Sequence, residues 1–285
     1  MKELWERRGY GLGRVDTVIS VDAVQEEARR LAEQGPRAEA LRALVRGEPV
    51  VEVEGLHAGY GKMEILHGVS LYVGDGQALC LIGPNGAGKS TVLHSLYGFT
   101  RIYGGRVRVG GREVTRLAPH ERLRDAGVAY ILQDNSVFPD MTVEENLWMG
   151  GFLMPDPRSA REAAERVFDR YPRLAPRRRQ PARVLSGGER RLLEIARALV
   201  MDPKVLLVDE PSIGLEPRFI DMVFEILDEL RRRDRKTIVM VEQNAKKGLE
   251  FADIGYVLAS GVVVRAGPGR ELLADPEVGR LFLGG

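Results

Sequence analysis

The chain has 285 residues, 44% of them hydrophobic and 29% charged, the composition of a globular protein that can bury a full core. The 42 Lys and Arg residues are balanced by 41 Asp and Glu residues, so no basic excess points to a nucleic-acid partner. One cysteine, Cys80, excludes a disulfide within the chain, and the charged N-terminus lacks the apolar stretch of a signal peptide. No segment approaches the ~18 consecutive apolar residues of a membrane span. We therefore expect a cytoplasmic protein whose membrane role comes through a partner.

Residues 1–48 carry signals for two helices, and acidic and basic side chains alternate through the run "AVQEEARRLAEQG". Asp22 is placed to cap the first helix, which ends at Gly35 and Pro36, and the second stops at Gly47. We predict a solvated helical extension of unknown role, and an over-long start site is the alternative interpretation.

From residue 49 to residue 285 the pattern becomes α/β. The runs "VVEVEGL", "EILHGVSLYV" and "GGRVRVGG" are typical of a twisted antiparallel sheet, whereas "QALCLIG", "GVAYILQ", "KVLLVDE" and "TIVMVEQ" are typical of buried parallel strands. Helices fall between the buried runs, as a doubly wound sheet requires. In a helical insertion at about residues 138–200, capping boxes mark helix starts at Thr142/Glu145, Ser159/Glu162 and Ser186/Glu189. We predict a mixed parallel core sheet with an antiparallel β subdomain and an inserted helical subdomain.

The stretch "GPNGAGKS", residues 83–90, matches G-x-x-x-x-G-K-[ST] between an apolar strand and a helix. In such a loop, backbone N–H groups surround the β-phosphate, a lysine reaches the β/γ oxygens and a hydroxyl binds Mg²⁺. A chance glycine-rich turn is the alternative, and the flanking strand and helix argue against it. The predicted nucleotide-binding residues are Gly83, Pro84, Asn85, Gly86, Ala87, Gly88, Lys89, Ser90 and Thr91, with Ser90 also a metal ligand.

The apolar run "VLLVDE", residues 205–210, ends in two carboxylates. Asp209 is placed to hold Mg²⁺ through its water shell, and Glu210 to polarise a water that attacks the γ-phosphate. A strand that ends in Asp-Glu is common, and only the P-loop before it makes the pattern strong.

The stretch "VLSGGERR", residues 184–191, begins a helix with two adjacent glycines. Gly187 and Gly188 leave the helix N-terminus unobstructed, with free amides and the Ser186 hydroxyl. Such an end suits an anion.

Together these motifs resemble the ATP-binding-cassette (ABC) ATPases over about residues 50–285. In that family, the segment here written LSGGE (185–189), with glutamine the usual last residue, closes over the γ-phosphate of ATP held by a second subunit. The resemblance implies that Ser186, Gly187 and Gly188 contact ATP on a partner chain, so that two cassettes sandwich two ATP molecules.

The resemblance also gives roles to residues that are ordinary when taken alone. Tyr60 matches the aromatic residue that stacks on adenine, and Gln133 matches the glutamine that contacts Mg²⁺ and leads into the segment facing the membrane partner. Gln243 stands where the family normally has a histidine. Because an amide can donate a hydrogen bond but cannot carry a proton, we expect Gln243 to sense bound phosphate.

Several stretches resemble the ATP-binding subunits of branched-chain amino-acid importers, namely "MTVEENLWMGGF", "YPRL", "VEQNA", "ADIGYVL" and "FLGG". Urea and short-chain amide importers share most of them, and a soluble cassette ATPase is the alternative from another class. The resemblance implies a second ATPase subunit (copy or paralogue), two permeases at the cytoplasmic face of the membrane, and indirectly a solute-binding protein. In the insertion, Phe138, Met141 and Trp148 are candidate permease contacts, with core packing as their alternative role.

Overall fold

The computed structural model describes residues 35–133 and 136–282, with side chains through residue 279. The predicted helix that begins at Asp22 and the end of the "FLGG" stretch lie outside the described residues. None of the described helices is long and apolar enough to cross a membrane.

The described strands, in chain order, are β1 (Pro49–Tyr60), β2 (Met63–Gly74), β3 (Ala78–Ile82), β4 (Arg101–Val109), β5 (Arg112–Glu113), β6 (Val128–Ile131), β7 (Val205–Asp209), β8 (Thr237–Val241), β9 (Ile254–Ala259) and β10 (Val262–Pro268). The described helices are α1 (Ala38–Arg42), α2 (Lys89–Tyr97), α3 (Pro119–Ala126), α4 (Val143–Gly150), α5 (Pro157–Arg170), α6 (Gly187–Leu199), α7 (Pro217–Arg232), α8 (Ala245–Phe251), α9 (Gly269–Ala274) and α10 (Pro276–Phe282). Two short 3₁₀ turns, Pro172–Arg177 and Ala182–Val184, lie between α5 and α6.

The first sheet has the order β2-β1-β4-β5, and all its pairs are antiparallel. Its inward side chains, Val51, Val53 and Leu66 among them, pack in one cluster with Val92 and Leu93 of α2. The antiparallel subdomain therefore rests on the helix that follows the P-loop.

The second sheet has the order β10-β9-β3-β8-β7-β6, and every pair except β10-β9 is parallel. Every residue of β3, β7 and β8 is buried, as expected for strands covered on both faces. Cys80, at the centre of β3, is fully buried, and burial raises the pKa of its thiol. The loops after β3, β6, β7 and β8 leave the sheet at its carboxyl edge, where ligands bind in open α/β sheets. The predicted fold class is confirmed.

The helices α4, α5 and α6 share a separate apolar cluster that includes Leu147, Phe168 and Leu193. The predicted capping box of α4 is present: the Thr142 N–H donates to Glu145 at 2.7 Å and the Glu145 N–H donates to Thr142 Oγ1 at 3.2 Å.

The predicted capping box at Ser159/Glu162 is wrong. Helix α5 begins three residues earlier than that box requires, at Pro157, because Asp156 accepts the N–H groups of Arg158 and Ser159, each at 2.9 Å. A carboxylate just before a proline at the first helical position is the stronger start signal.

The predicted second helix of the N-terminal extension is shorter than expected, and it is not solvated throughout. Leu41 of α1 is only 2% exposed and belongs to the core cluster under the antiparallel sheet. Arg42 pairs with Glu52 at 3.0 Å and Glu54 at 2.9 Å on β1, and its guanidinium lies 4.7 Å from the centre of the Tyr72 ring. This segment is therefore attached to the cassette.

The chain after α1 reaches the start of the P-loop strand. The backbone N–H of Arg46 donates to Gln77 Oε1 at 2.9 Å, and the Arg46 guanidinium lies 3.2 Å from Asp253 Oδ1. The other Asp253 oxygen accepts the N–H of Ala78, the first residue of β3, at 2.9 Å. The predicted boundary at residue 49 thus cuts through a continuous set of contacts.

Candidate functional site

The P-loop is a tight turn between β3 and α2 that only glycine allows at two positions. Gly83 has φ +147°, and a Cβ there would come within 2.1 Å of the Leu258 carbonyl oxygen. Gly88, the residue before α2, has φ +98°. Both positions would be strained with any other residue.

Lys89, the first residue of α2, donates hydrogen bonds from its side chain to the backbone of the P-loop. Its side chain is 7% exposed, and Nζ donates to the carbonyl oxygens of Gly83 at 2.9 Å and Pro84 at 3.1 Å. Burial lowers the pKa of Lys89, and the nearby Glu210 and Asp209 carboxylates oppose that shift. An ammonium group in this position can donate charge-assisted hydrogen bonds to an anion that binds in the loop.

Asp209, at the end of β7, joins the P-loop helix to the neighbouring strand. Its Oδ1 accepts the Ser90 hydroxyl at 3.2 Å, and its Oδ2 accepts the Tyr130 hydroxyl at 2.7 Å. The carboxylate is 4% exposed, so these two donors fix its orientation. The structure brings the predicted metal ligands Ser90 and Asp209 together.

Glu210 follows Asp209 in a backbone conformation that is rare outside glycine, with φ +42°. Its N–H donates to the Val241 carbonyl at 2.9 Å, so β8 holds the residue in this conformation. The Gln133 amide Nε2 donates to Glu210 Oε2 at 3.0 Å. Strain of this kind is typical of functional positions.

Arg191, a residue that the sequence analysis did not single out, ties the glycine-rich helix α6 to the same edge. It is 4% exposed and donates to the Leu132 carbonyl at 2.7 Å, to the Asp209 carbonyl at 3.3 Å and to Glu194 Oε2 at 2.8 Å. An arginine inside an amphipathic helix carries no local signal for contacts with residues this distant in the sequence.

At the N-terminus of α6, the Ser186 hydroxyl donates to Glu189 Oε2 at 2.9 Å and accepts the Glu189 N–H at 3.3 Å. The predicted capping box is therefore present. Ser186 and Gly187 are exposed, whereas Gly188 is buried. Within the described ranges, no hydrogen bond joins these residues to the P-loop of the same chain.

Two further candidates lie at the rim of the site. Tyr60, the last residue of β1, is 44% exposed, and its hydroxyl bonds to His94 Nδ1 at 2.5 Å. Gln243 is exposed in the loop after β8. The residue before it, Glu242, is buried and accepts the Ser212 hydroxyl at 2.7 Å and the Asn244 N–H at 2.9 Å, so it links this loop to the loop after Glu210.

The donor set fits a small hard cation. The hydroxyl of Ser90 and the carboxylate of Asp209 offer oxygen atoms on adjacent elements, and the Gln133 amide lies beside Glu210. Across residues 35–133 and 136–282 no group of three or more His, Cys, Asp or Glu could hold a metal ion. Mg²⁺ needs no such cage, because it takes one or two protein oxygens and completes its shell with phosphates and water.

Comparison with known proteins decides the family. The family described as "ABC transporter" matches residues 66–213, which include the P-loop, the segment 184–191 and the two carboxylates at the end of β7, Asp209 and Glu210. The chain belongs to the ABC transporter family. It is an ABC ATPase, and the predicted family membership and ATPase activity are confirmed.

Individual relatives agree with this assignment. The chain is 43% identical over 226 residues to the high-affinity branched-chain amino acid transport ATP-binding protein BraG of Pseudomonas aeruginosa, covering 79% of this chain and 96% of that protein. It is 38% identical over 229 residues to the Archaeoglobus fulgidus protein named "Probable branched-chain amino acid transport ATP-binding protein LivF", covering 80% of this chain and 96% of that one. The crystal structure of a nucleotide-free ATP-binding cassette from an ABC transporter matches with a TM-score of 0.74 and 28% identity, covering 84% of this chain and 100% of that one.

Proposed function

We propose that this chain is the ATP-hydrolysing subunit of an importer for branched-chain amino acids. The observation that carries the proposal is the identity of 43% to BraG over 96% of that relative's length. The archaeal relative named for the same transport agrees with it. The local geometry supports hydrolysis, because a P-loop lysine, a Ser-Asp pair and a strained glutamate meet at one edge of the sheet.

In the proposed reaction, the P-loop binds the triphosphate of ATP with its backbone N–H groups, and Lys89 neutralises charge on the β- and γ-phosphates. Glu210 accepts a proton from the attacking water, while Gln133 orients the Glu210 carboxylate through its amide. Gln243 donates a hydrogen bond to the γ-phosphate without exchanging a proton. Ser90 and Asp209, with Gln133, would hold Mg²⁺, which would supply positive charge to offset the negative charge of the phosphates.

Tyr60 supplies a partly exposed ring against which adenine stacks. Ser186, Gly187 and Gly188 act across a dimer, on ATP held by a second ABC ATPase subunit. In the part of the chain that the structure describes, no hydrogen bond joins them to the P-loop of their own chain, and Ser186 and Gly187 are exposed; both observations support this arrangement.

The helical insertion receives the membrane partner, which places the chain at the cytoplasmic face of the membrane. Phe138 is 43% exposed and suits an apolar contact there. Trp148 packs against the apolar cluster of α4–α6 with Arg161 over its ring at 5.0 Å, which favours core packing for this residue.

The test is to purify the tagged chain with its partners from native membranes and reconstitute the complex in vesicles. We expect ATP-driven uptake of labelled leucine, isoleucine and valine, with urea and acetamide as competitors that have no effect. The matched complex with Glu210→Gln should bind ATP and transport nothing. Uptake of urea or acetamide in place of leucine would reject branched-chain amino acids as the transported solutes. Recovery of the chain without any membrane protein would reject the transport role.

A further inference from the structure

The P-loop helix carries a second polar group whose contacts point toward the nucleotide base. His94 lies five residues after Lys89 on α2, about 7.5 Å further along the helix axis. Its Nδ1 lies 2.5 Å from the Tyr60 hydroxyl, and the two rings meet edge to face with centroids 6.0 Å apart. One helix therefore touches the proposed phosphate site at its start and the proposed base site near its end.

The surroundings of His94 favour the neutral form of its ring. The ring is packed between Phe99 and Tyr130, with centroids at 5.7 Å and 5.8 Å. Burial lowers the pKa of His94, against the pull of Asp209, so the imidazole is neutral near pH 7. In the neutral tautomer that carries its proton on Nε2, Nδ1 accepts the Tyr60 O–H, and this is the tautomer that the inference below requires.

The hydrogen bond to His94 restrains the side chain of Tyr60, which is otherwise partly exposed. Tyr60 ends β1 and is 44% exposed, so its ring has freedom that a stacking contact must remove. The edge-to-face contact with His94 fixes the phenol end of the ring and leaves the ring available for stacking. An aromatic ring that is already oriented binds a flat base at a lower entropic cost.

We propose that His94 is a positioning residue for adenine recognition, holding the Tyr60 ring in the orientation that stacks on the base. The inference rests on the proposed role of Tyr60. It makes α2 a common support for the two ends of the nucleotide, since Lys89 and Ser90 begin the same helix that His94 occupies.

The experiment compares the binding of Mg-ADP, which carries the base, with that of Mg-pyrophosphate, which does not, by calorimetry on the full chain. His94→Phe keeps the ring packing and removes the acceptor, Tyr60→Phe keeps the stacking ring and removes the donor, and His94→Asn restores an acceptor. The exposed His120→Phe is the matched control. Thermal unfolding of each variant checks the fold.

We expect His94→Phe and Tyr60→Phe each to weaken ADP binding about 2- to 10-fold, the range for one lost hydrogen bond, with the double variant no weaker than either single one. Pyrophosphate affinity should not change, His94→Asn should bind ADP nearly as the unmodified chain does, and His120→Phe should have no effect.

Four results would overturn the inference: an unchanged ADP affinity in His94→Phe, an equal loss for pyrophosphate, additive losses in the double variant, or an equal loss in His94→Asn. Tyr60→Ala distinguishes failure of the inference about His94 from failure of the proposed stacking role of Tyr60. If Tyr60→Ala binds ADP normally, the stacking role itself fails, and the role of His94 fails with it. If only Tyr60→Ala is weak, Tyr60 stacks on the base without help from His94.

Discussion

Gly188 lies directly against the ring of Phe219: a Cβ on residue 188 would come within 2.1 Å of Phe219 Cδ1. A Cβ on Gly187 would meet only Leu215 Cδ2, at 3.7 Å. These two adjacent glycines therefore differ in purpose. Gly188 is required by packing within its own chain, whereas Gly187 is exposed, so a substitution there tests the proposed contact with a partner chain.

Gly187→Asp should leave the fold and the nucleotide affinity of its own P-loop unchanged and should block hydrolysis of ATP on the partner chain. The added carboxylate would face the γ-phosphate, and like charges repel in a poorly solvated gap. The measurement is ATPase activity of a mixed dimer in which one copy carries Gly187→Asp and the other carries Lys89→Ala.

If the helix acts in trans, one composite site carries both changes and the other carries neither, so about half of the sites remain competent. A completely inactive mixed dimer would show that the helix serves the ATP of its own chain. Gly188→Asp is the comparison variant, and overpacking against Phe219 should lower its stability by about 1–3 kcal/mol.

Glu210→Gln should retain ATP binding and reduce turnover by about 10²- to 10⁴-fold, because an amide cannot take a proton from water. The Gln133 amide can still donate to the new side-chain oxygen, so the local geometry should persist. Filter binding of labelled ATP and steady-state phosphate release measure the two effects. Turnover close to that of the unmodified chain would assign the base to another residue.

Gln243→Ala should be milder, with a loss of about tenfold or less, since it removes one hydrogen bond to phosphate and no proton-handling group. Phosphate release measured across pH 6–9 should give a profile of unchanged shape. An inactive variant that still binds ATP would contradict the sensor role and would make Gln243 part of the chemical step.

Removal of residues 1–36 leaves the contacts of Leu41, Arg42 and Arg46 in place, so these contacts should contribute to the free energy of unfolding as before. Removal of residues 1–48 eliminates them and should lower the free energy of unfolding. The longer deletion exposes the surface that Leu41 covers, which costs about 1.5–3 kcal/mol, and leaves Gln77 and Asp253 without their Arg46 contacts. Both truncated chains should still bind Mg-ATP, because the P-loop lies beyond both cuts.

Denaturant unfolding of the two truncated chains, each with and without Mg-ATP, measures these effects, and Leu41→Ala in the full chain is the point control. Equal stability of the two truncated chains would show that α1 is dispensable. Loss of the ATP-induced stabilisation in the longer deletion alone would extend the nucleotide site to this segment.

The sequence was informative wherever the signal was local. The P-loop predicts its own strand, turn and helix, and the pairs Thr142/Glu145 and Ser186/Glu189 predict helix starts because cap and partner are three residues apart. The prediction at Ser159 failed because the stronger cap, Asp156, stands just upstream.

Contacts between distant residues could not be predicted in this way. The Ala78 N–H bonds to a carboxylate on residue 253, and the burial of Leu41 depends on a sheet that forms later in the chain. A lone histidine on a helix, such as His94, carries no pattern at all. Its hydrogen bond to Tyr60 depends on how β1 lies relative to α2.

The burial of Cys80 has a practical consequence for measuring how two such subunits move. It is the single cysteine of the chain, its side chain is fully enclosed in β3, and the raised pKa of its thiol keeps the reactive thiolate scarce. A thiol-reactive spectroscopic label would therefore attach to a cysteine introduced on the surface, and Cys80 would not have to be replaced first. Labels at exposed Val184, close in sequence to Ser186, would measure the distance between the two chains of the proposed dimer during a cycle of ATP binding and release.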